Sequence, residues 1–143
     1  MLIRLVRRMP LQETLDTFKY FLSEVDKLKP SYVTLVRYST MLDPGHRGTD
    51  HDIVGSYGSL FKNAKVVVNS GVTPEEGAAL VAEGKADAVS FGLLFLAHPD
   101  LPYRIAHEKP LDNPVEFGQL YGSQLGPGGD MNLGYTNYPA ATY

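Results

Sequence analysis

Helix-period and strand-period apolar segments alternate along this chain, and that alternation constrains its fold more than any other feature. Leu11, Leu15, Phe18, Leu22, Val25 and Leu28 recur at intervals of four and three, which sets them on one face of a helix beginning at Pro10. Lys29-Pro30 stops that helix, and Tyr32-Val33-Thr34-Leu35-Val36, rich in β-branched and aromatic residues, follows as a strand. Val66-Val67-Val68 is a second strand, uniformly apolar in the manner of a parallel strand buried on both faces. Thr73-Pro74-Glu75-Glu76 then starts a helix: Thr73 is the N-cap, Pro74 takes the first helical position and Glu76 completes a capping box. Gly84 stands where a helix end needs a left-handed residue, so the helix is expected over 74–83. A third strand runs from Ala86 to Phe91, and Leu93 to Leu96 form a short helical or coiled apolar segment stopped by Pro99. Leu2, Ile3, Leu5 and Val6 suggest one more strand at the start. Strands alternating with helices pair in parallel through right-handed crossovers, which makes the chain α/β.

Two stretches break the pattern. Arg37 to Tyr57 sustains neither period and reads as a long polar loop, with a short helix near Leu60-Phe61. Residues 117–143 combine Gly118, Gly122, Gly126, Gly128, Gly129 and Gly134 with Tyr121, Tyr135, Tyr138 and Tyr143. Such a stretch is too rich in glycine for regular structure and too aromatic for a plain linker. The expected organisation is a βα domain over 1–116 and a Gly/Tyr-rich C-terminal arm over 117–143 packed on it.

Composition closes much of the functional menu. There is no cysteine, so thiol nucleophiles, disulfides, iron–sulfur clusters and cysteine zinc sites are excluded, and four His are the only strong nitrogen ligands. Thirteen Lys+Arg against sixteen Asp+Glu give a net charge of -3, and the basic residues are scattered except for Arg4, Arg7 and Arg8. No electrostatic footprint for nucleic acid results. No apolar run reaches the roughly 18 residues of a membrane span, and the first residues alternate apolar and basic, unlike a signal peptide. No membrane partner and a cytoplasmic location are therefore expected.

The loop after Tyr32–Val36 carries Tyr38, Asp43, His46, Arg47, Asp50, His51 and Asp52, the richest ionisable cluster in the chain. His46 or His51 suits general acid/base work near neutral pH, with Asp50 or Asp52 orienting the ring and Arg47 holding an oxyanion. The same residues also suit plain solvation of a surface loop. Their spacing matches no established metal motif, and no metal is expected. Ser70, Gly71 and Gly92 stand at strand ends, where backbone amides can meet an anion or where glycine simply makes a tight turn.

Four ordered segments resemble one family. Val66-Val67-Val68-Asn69-Ser70-Gly71-Val72-Thr73-Pro74-Glu75-Glu76 is similar to the seventh barrel strand and glycine-bearing loop of the old yellow enzyme family, the FMN-dependent NADH:flavin oxidoreductases that include the oxophytodienoate reductases. Gly84 to Gly92 resembles the approach to the eighth strand, Pro99-Asp100-Leu101-Pro102-Tyr103-Arg104 the run after it, and Gly134-Tyr135-Thr136-Asn137-Tyr138-Pro139 the closing motif. Met9 to Val36 is similar in pattern to the helix and sixth strand upstream. The resemblance implies a partial, half TIM-type (βα) barrel of parallel strands, because a complete one takes about 250 residues.

It also implies where chemistry changes. The family's His-His or His-Asn pair that binds the substrate carbonyl and its proton-donating Tyr belong to the earlier half of the barrel, and nothing in this sequence corresponds to them. Ser70, Gly71 and Gly92 match the cofactor's phosphate loops, but the phosphate arginine is replaced by Leu93, which removes a charge-assisted donor. Tyr121, in Leu120-Tyr121-Gly122, matches a pocket-lining tyrosine and is the substrate-binding candidate.

The leading expectation is a flavin-independent protein, with no cofactor, that binds an unsaturated carbonyl or polyketide-like small molecule and promotes a non-redox isomerisation or cyclisation. Tyr38, His46, Arg47, Asp50 and His51 are its catalytic candidates. The alternative is an FMN- and NAD(P)H-dependent ene reductase completed by oligomerisation or a partner chain, and a third reading is a non-catalytic ligand-binding remnant. Uncovered sheet edges point to a homo-oligomer, most simply a two-fold dimer.

Overall fold

The computed structural model describes residues 9–41, 43–122 and 129–142. The strand expected over Leu2 to Val6 lies outside them. Two compact units divide at Ser90 and Phe91.

The first unit holds α1 (Leu11–Lys27), β1 (Tyr32–Val36), α2 (Ile53–Tyr57), a 3₁₀ turn (Gly58–Leu60), β2 (Lys65–Asn69), α3 (Pro74–Ala82) and β3 (Ala88–Ser90). The strands form one parallel sheet in the order β1-β2-β3, with Val33 opposite Val66, Leu35 opposite Val68, and Val68 opposite Val89. This is the parallel arrangement expected of an open part of a (βα) barrel.

One face of the sheet is covered. Val33, Leu35, Val66, Val68 and Val89 pack there with Val54, Tyr57 and Phe61, under Leu15 and Leu22 of α1 and Leu80 of α3. The other face presents Tyr32, 63% exposed, and Val36, 48% exposed. Val67, between the fully buried Val68 and the buried Val66, is only half-buried. The triple-valine strand is thus covered on one side and not on both as its composition suggests, because only three described strands share the sheet.

α1 corrects a second expectation. Leu15 and Leu22 meet the core, but Leu11, Phe18 and Leu28 are exposed, while Thr14 and Asp26 are buried. The Thr14 hydroxyl donates to the Pro10 carbonyl at 3.0 Å. Asp26 gathers the N–H groups of Lys62, Asn63 and Ala64, each at 3.0 Å, and the Asn63 side-chain amide at 2.9 Å. Burial pushes this carboxyl up, but the backbone donors and the Asn63 amide outweigh it and hold it at about 2. One carboxylate thereby fixes the entry of β2 against the end of α1.

The polar passage 37–57 is not all loop. Asp52 accepts from the Gly55 N–H at 2.9 Å and caps α2, a helix that its few residues and mixed polarity conceal from periodicity. A Cβ at position 55 would crowd the Asp52 carboxylate, so a side chain there would push the capping group aside. α3 begins as its sequence predicts, the Thr73 side chain accepting from the Glu76 N–H, and Gly84 beyond its end has φ +67°. β3 is shorter than the 86–91 expected.

The second unit contains α4 (Leu93–Ala97), α5 (Leu101–Ala106) and a 3₁₀ turn over Phe117–Gly122. α5 was not legible, since Pro99 and Pro102 read as stops; Pro102 in fact occupies the helix's first turn, where it is tolerated. Arg104, 4% exposed, clamps the unit. Its Nε donates to Asp100 at 2.8 Å, and its terminal nitrogens to the carbonyls of Pro110 at 2.6 Å and Pro139 at 3.0 Å. The other Asp100 oxygen accepts from the Ala141 N–H at 2.8 Å. The Pro99–Arg104 and Gly134–Pro139 motifs are therefore two halves of one contact.

Candidate functional site

The carboxyl end of β1, the loop after it, the start of α2 and one side of α3 line a cleft of about 330 Å³ that includes Arg37, Tyr38, Asp50, His51, Glu76 and Leu80. Carboxyl strand ends are where (βα) barrels carry chemistry.

Arg37 continues the ladder, its N–H donating to the Asn69 carbonyl at 2.9 Å, and its guanidinium reaches Glu76 at 2.7 Å. Glu76 thus bonds across to the neighbouring strand end, binding the first turn of α3 to β1. Neither residue was singled out as functional from sequence. The available signals were a cation directly after a strand and an acid at the third position of a capped helix.

Asp43 organises the loop. The backbone N–H groups of Arg47 and Gly48 and the Tyr38 hydroxyl stabilise its charge and hold its carboxyl below the ordinary range, against a smaller opposing effect of burial. The Gly48 bond measures 2.7 Å. Tyr38 Oη also lies 3.3 Å from His46 Nδ1, and His46 adopts φ +48°. Tyr38, Asp43 and His46 therefore form one polar chain, exposed at the His46 end, in which a proton can pass between hydroxyl and imidazole.

His51 is placed differently. Its Nδ1 lies 2.9 Å from the Thr49 carbonyl, which can only accept, so Nδ1 carries a proton. Its Nε2 lies 2.9 Å from the Tyr57 hydroxyl, and the rings meet edge to face at 5.5 Å. Burial pushes the Tyr57 hydroxyl up, so it stays protonated. Both imidazole nitrogens are engaged in joining the loop to α2. Asp50 and Arg47 are exposed, Asp50 on the cleft and Arg47 with its side chain beside Gly45, and Asp52 is committed to its cap. The cleft brings Tyr38, Asp50 and His51 together; the contact of Tyr38 extends the group to His46. No group of three or more metal-ligating side chains occurs among the described residues. No described helix is long and apolar enough to cross a membrane.

At the end of β2, Ser70 and Gly71 take φ +77° and +64°, and nothing lies within 4 Å of where a Gly71 Cβ would be. These two positive φ values turn the chain sharply between β2 and α3, and at Gly71 they call for a residue without a side chain. The Asn69 amide meets the Ser90 hydroxyl across the ends of β2 and β3. Gly92 precedes α4 in the second unit and is also open on its Cβ side. Leu93 brings no charge to that helix start. The side chain of Tyr121 lies outside those described.

Parallel strands flanked by helices make this chain part of a (βα) barrel, similar in fold to the old yellow enzymes. The chain is a relative of that family. It is 31% identical over 146 residues to a 12-oxophytodienoate-reductase-like protein, number 2, of Oryza sativa subsp. japonica, covering 94% of this chain and 36% of that one. It is 40% identical over 77 residues to 12-oxophytodienoate reductase 1 of the same plant, covering 54% of this chain and 18% of the relative. Among solved structures, the old yellow enzyme from Trypanosoma cruzi matches with a TM-score of 0.71 and 25% identity, over 90% of this chain and 30% of that enzyme. The chain thus spans about a third or less of these relatives. No protein-family model matches it.

Proposed function

We propose that this chain forms part of a flavin-dependent ene-reductase barrel, contributing the carboxyl-end loops of its sixth to eighth strands to the binding of FMN and a small unsaturated carbonyl compound. The observation that carries this reading is the Ser70–Gly71 turn, two left-handed residues opening onto free space at the end of a parallel strand. The turn stands at the carboxyl end of β2, where the family resemblance puts a phosphate loop, and the similarity to reductases over 94% of the chain supports the same cofactor. FMN, when bound, supplies the redox chemistry. The protein's own residues have other tasks: the turn amides receive the phosphate, Arg37 and Glu76 hold the strand ends at fixed separation, and Tyr38 with His46 delivers or accepts a proton at the cleft.

A second reading, a flavin-independent protein promoting a non-redox isomerisation or cyclisation, draws its support from Leu93. That residue stands where the family resemblance expects the phosphate arginine, and it offers a phosphate no charge. In this reading Tyr38 and His46 carry the proton transfer and Asp43 positions them. Either reading is compatible with self-association, because β1 and β3 each have an edge with no neighbouring strand among the described residues and Tyr32 and Val36 face outward.

Titration of the purified protein with FMN, followed by visible absorption, tests the proposal. Saturable binding with a perturbed flavin band is the result expected. Absence of binding at high micromolar FMN would refute it and leave the non-redox reading, then examined by turnover of cyclic enones in the Tyr38→Phe and His46→Ala variants.

A further inference from the structure

At the amino ends of β2 and β3 lies a second cavity of about 430 Å³, whose lining shares Val54 with the cleft just described. Its floor is apolar: Val54, Phe61, Ala64, Val66 and Ala86 line it, and all five are buried. Its walls are stretches of backbone with little side chain, Gly55 and Gly58 on one side and Gly84 on the other. A Cβ at Gly58 would meet no atom closer than the Lys85 carbonyl at 3.6 Å, and one at Gly84 would meet none within 4 Å. The space between these walls is therefore open down to the core.

The charges around it are unequal. Asp87 is neutralised by Lys65 at 2.8 Å and also accepts from the Val66 N–H at 2.8 Å. Lys85 pairs with Glu83 at 2.7 Å and also feels the Asp52 carboxylate, which caps α2 beside the Gly55 wall. The Lys62 ammonium has neither a hydrogen bond nor an ion pair among the described residues, although its backbone N–H is fixed by Asp26 at 3.0 Å. The stem of Lys62 is thus anchored at its root beside an apolar cavity, with its cation unspent. An apolar depression bearing one free cation selects a molecule with a compact hydrophobic body and a single negative end.

We propose that this cavity is a second small-molecule site, independent of the proposed flavin and carbonyl chemistry, that takes an amphipathic carboxylate of aromatic or short aliphatic type. The ring or chain lies on Val54, Phe61 and Val66, and the carboxylate pairs with Lys62. A neutral molecule of the same shape keeps the apolar contact and loses the ion pair; an amine of the same shape meets like charge.

Chemical-shift mapping of the ¹⁵N-labelled protein during titration with benzoate tests this, with benzyl alcohol as the neutral counterpart. The expected result is saturable movement of the Gly58, Gly84 and Ala86 amides, with benzoate bound about fivefold more tightly than the alcohol, the size of an exposed ion pair. Lys62→Gln should remove that difference while leaving the alcohol's binding unchanged, and Arg37→Gln, at the other cleft, should leave both intact. Three outcomes would overturn the proposal: no saturable movement, movement confined to the Arg37 end of the sheet, or equal binding of benzoate and alcohol. Should Lys62→Gln fail to fold, the comparison of acid with alcohol on the unsubstituted protein decides alone.

Discussion

Replacing Arg104 by Ala removes the guanidinium that joins α5 to two distant segments of the second unit. Three bonds disappear at once, to Asp100, to the Pro110 carbonyl and to the Pro139 carbonyl, and Arg104 is 4% exposed, so water does not restore them within the folded state. The Asp100 side chain, 15% exposed, is left without the Arg104 cation, though it keeps the Ala141 N–H. Each charge-assisted bond contributes about 1.5–3 kcal/mol, but losing the buried guanidinium also relieves its own desolvation, and the net cost of breaking one partner from a buried pair is about 3–5 kcal/mol. Against a typical total stability of about 5–15 kcal/mol, that is a large share. Arg104→Lys should fall between, because an ammonium cannot reach three acceptors set in a planar fork. Urea unfolding gives the overall cost, and hydrogen exchange at the Ala141 amide reports whether the loss sits in the clamp. A cost under about 1 kcal/mol for Arg104→Ala, with Ala141 still protected, would refute the reasoning.

Other outcomes follow from the same geometry. Asp26 has a folded value of about 2 against an ordinary 3.8, so its stabilisation is fully present above 3.8 and is lost as pH falls through about 2. Asp26→Asn should weaken the protein at neutral pH and flatten its acid dependence, though Asp43 and Asp87, also held low, keep part of the slope; urea midpoints measured down to low pH check this. Gly55→Ala crowds the Asp52 carboxylate with a methyl carbon, which should displace the α2 cap and cost about 1 kcal/mol or more in thermal unfolding. Leu93→Arg restores a cation to the helix start that resembles the family's phosphate seat, and FMN titration should show at least about tenfold tighter binding if the ene-reductase reading holds.

Much of the fold was legible because it rests on local rules. The end of α1 at Lys29-Pro30, the Thr73-Pro74 start of α3 and its Gly84 finish each depend on a few adjacent residues, and all three lie where the sequence puts them. α2 and α5 were not legible. α2 is five residues long and held by one Asp52 cap, and α5 is six residues long with a proline, Pro102, at its second position, too short for a helical period to emerge. The candidate site divides the same way. That the loop after β1 carries ionisable groups is plain from sequence, but which of them bond each other depends on backbone turns. Those turns couple Tyr38 to His46 and spend His51 on Thr49 and Tyr57.

The sequence by itself determined the parallel βα order, the family resemblance and the loops in which polar chemistry is concentrated, since periodicity, caps and motifs are properties of neighbouring residues. Tertiary structure alone decided that β2 is covered on the face of Val66 and Val68 and not on that of Val67, that Asp26 is buried and charged, and that Arg37 meets Glu76. It also decided that two motifs some 35 residues apart close on one guanidinium, at Arg104 and Pro139. The physical reason is common to these cases: burial and hydrogen-bond partnership are set by residues distant in the chain, and no local pattern specifies which of several possible partners the folded backbone brings within reach.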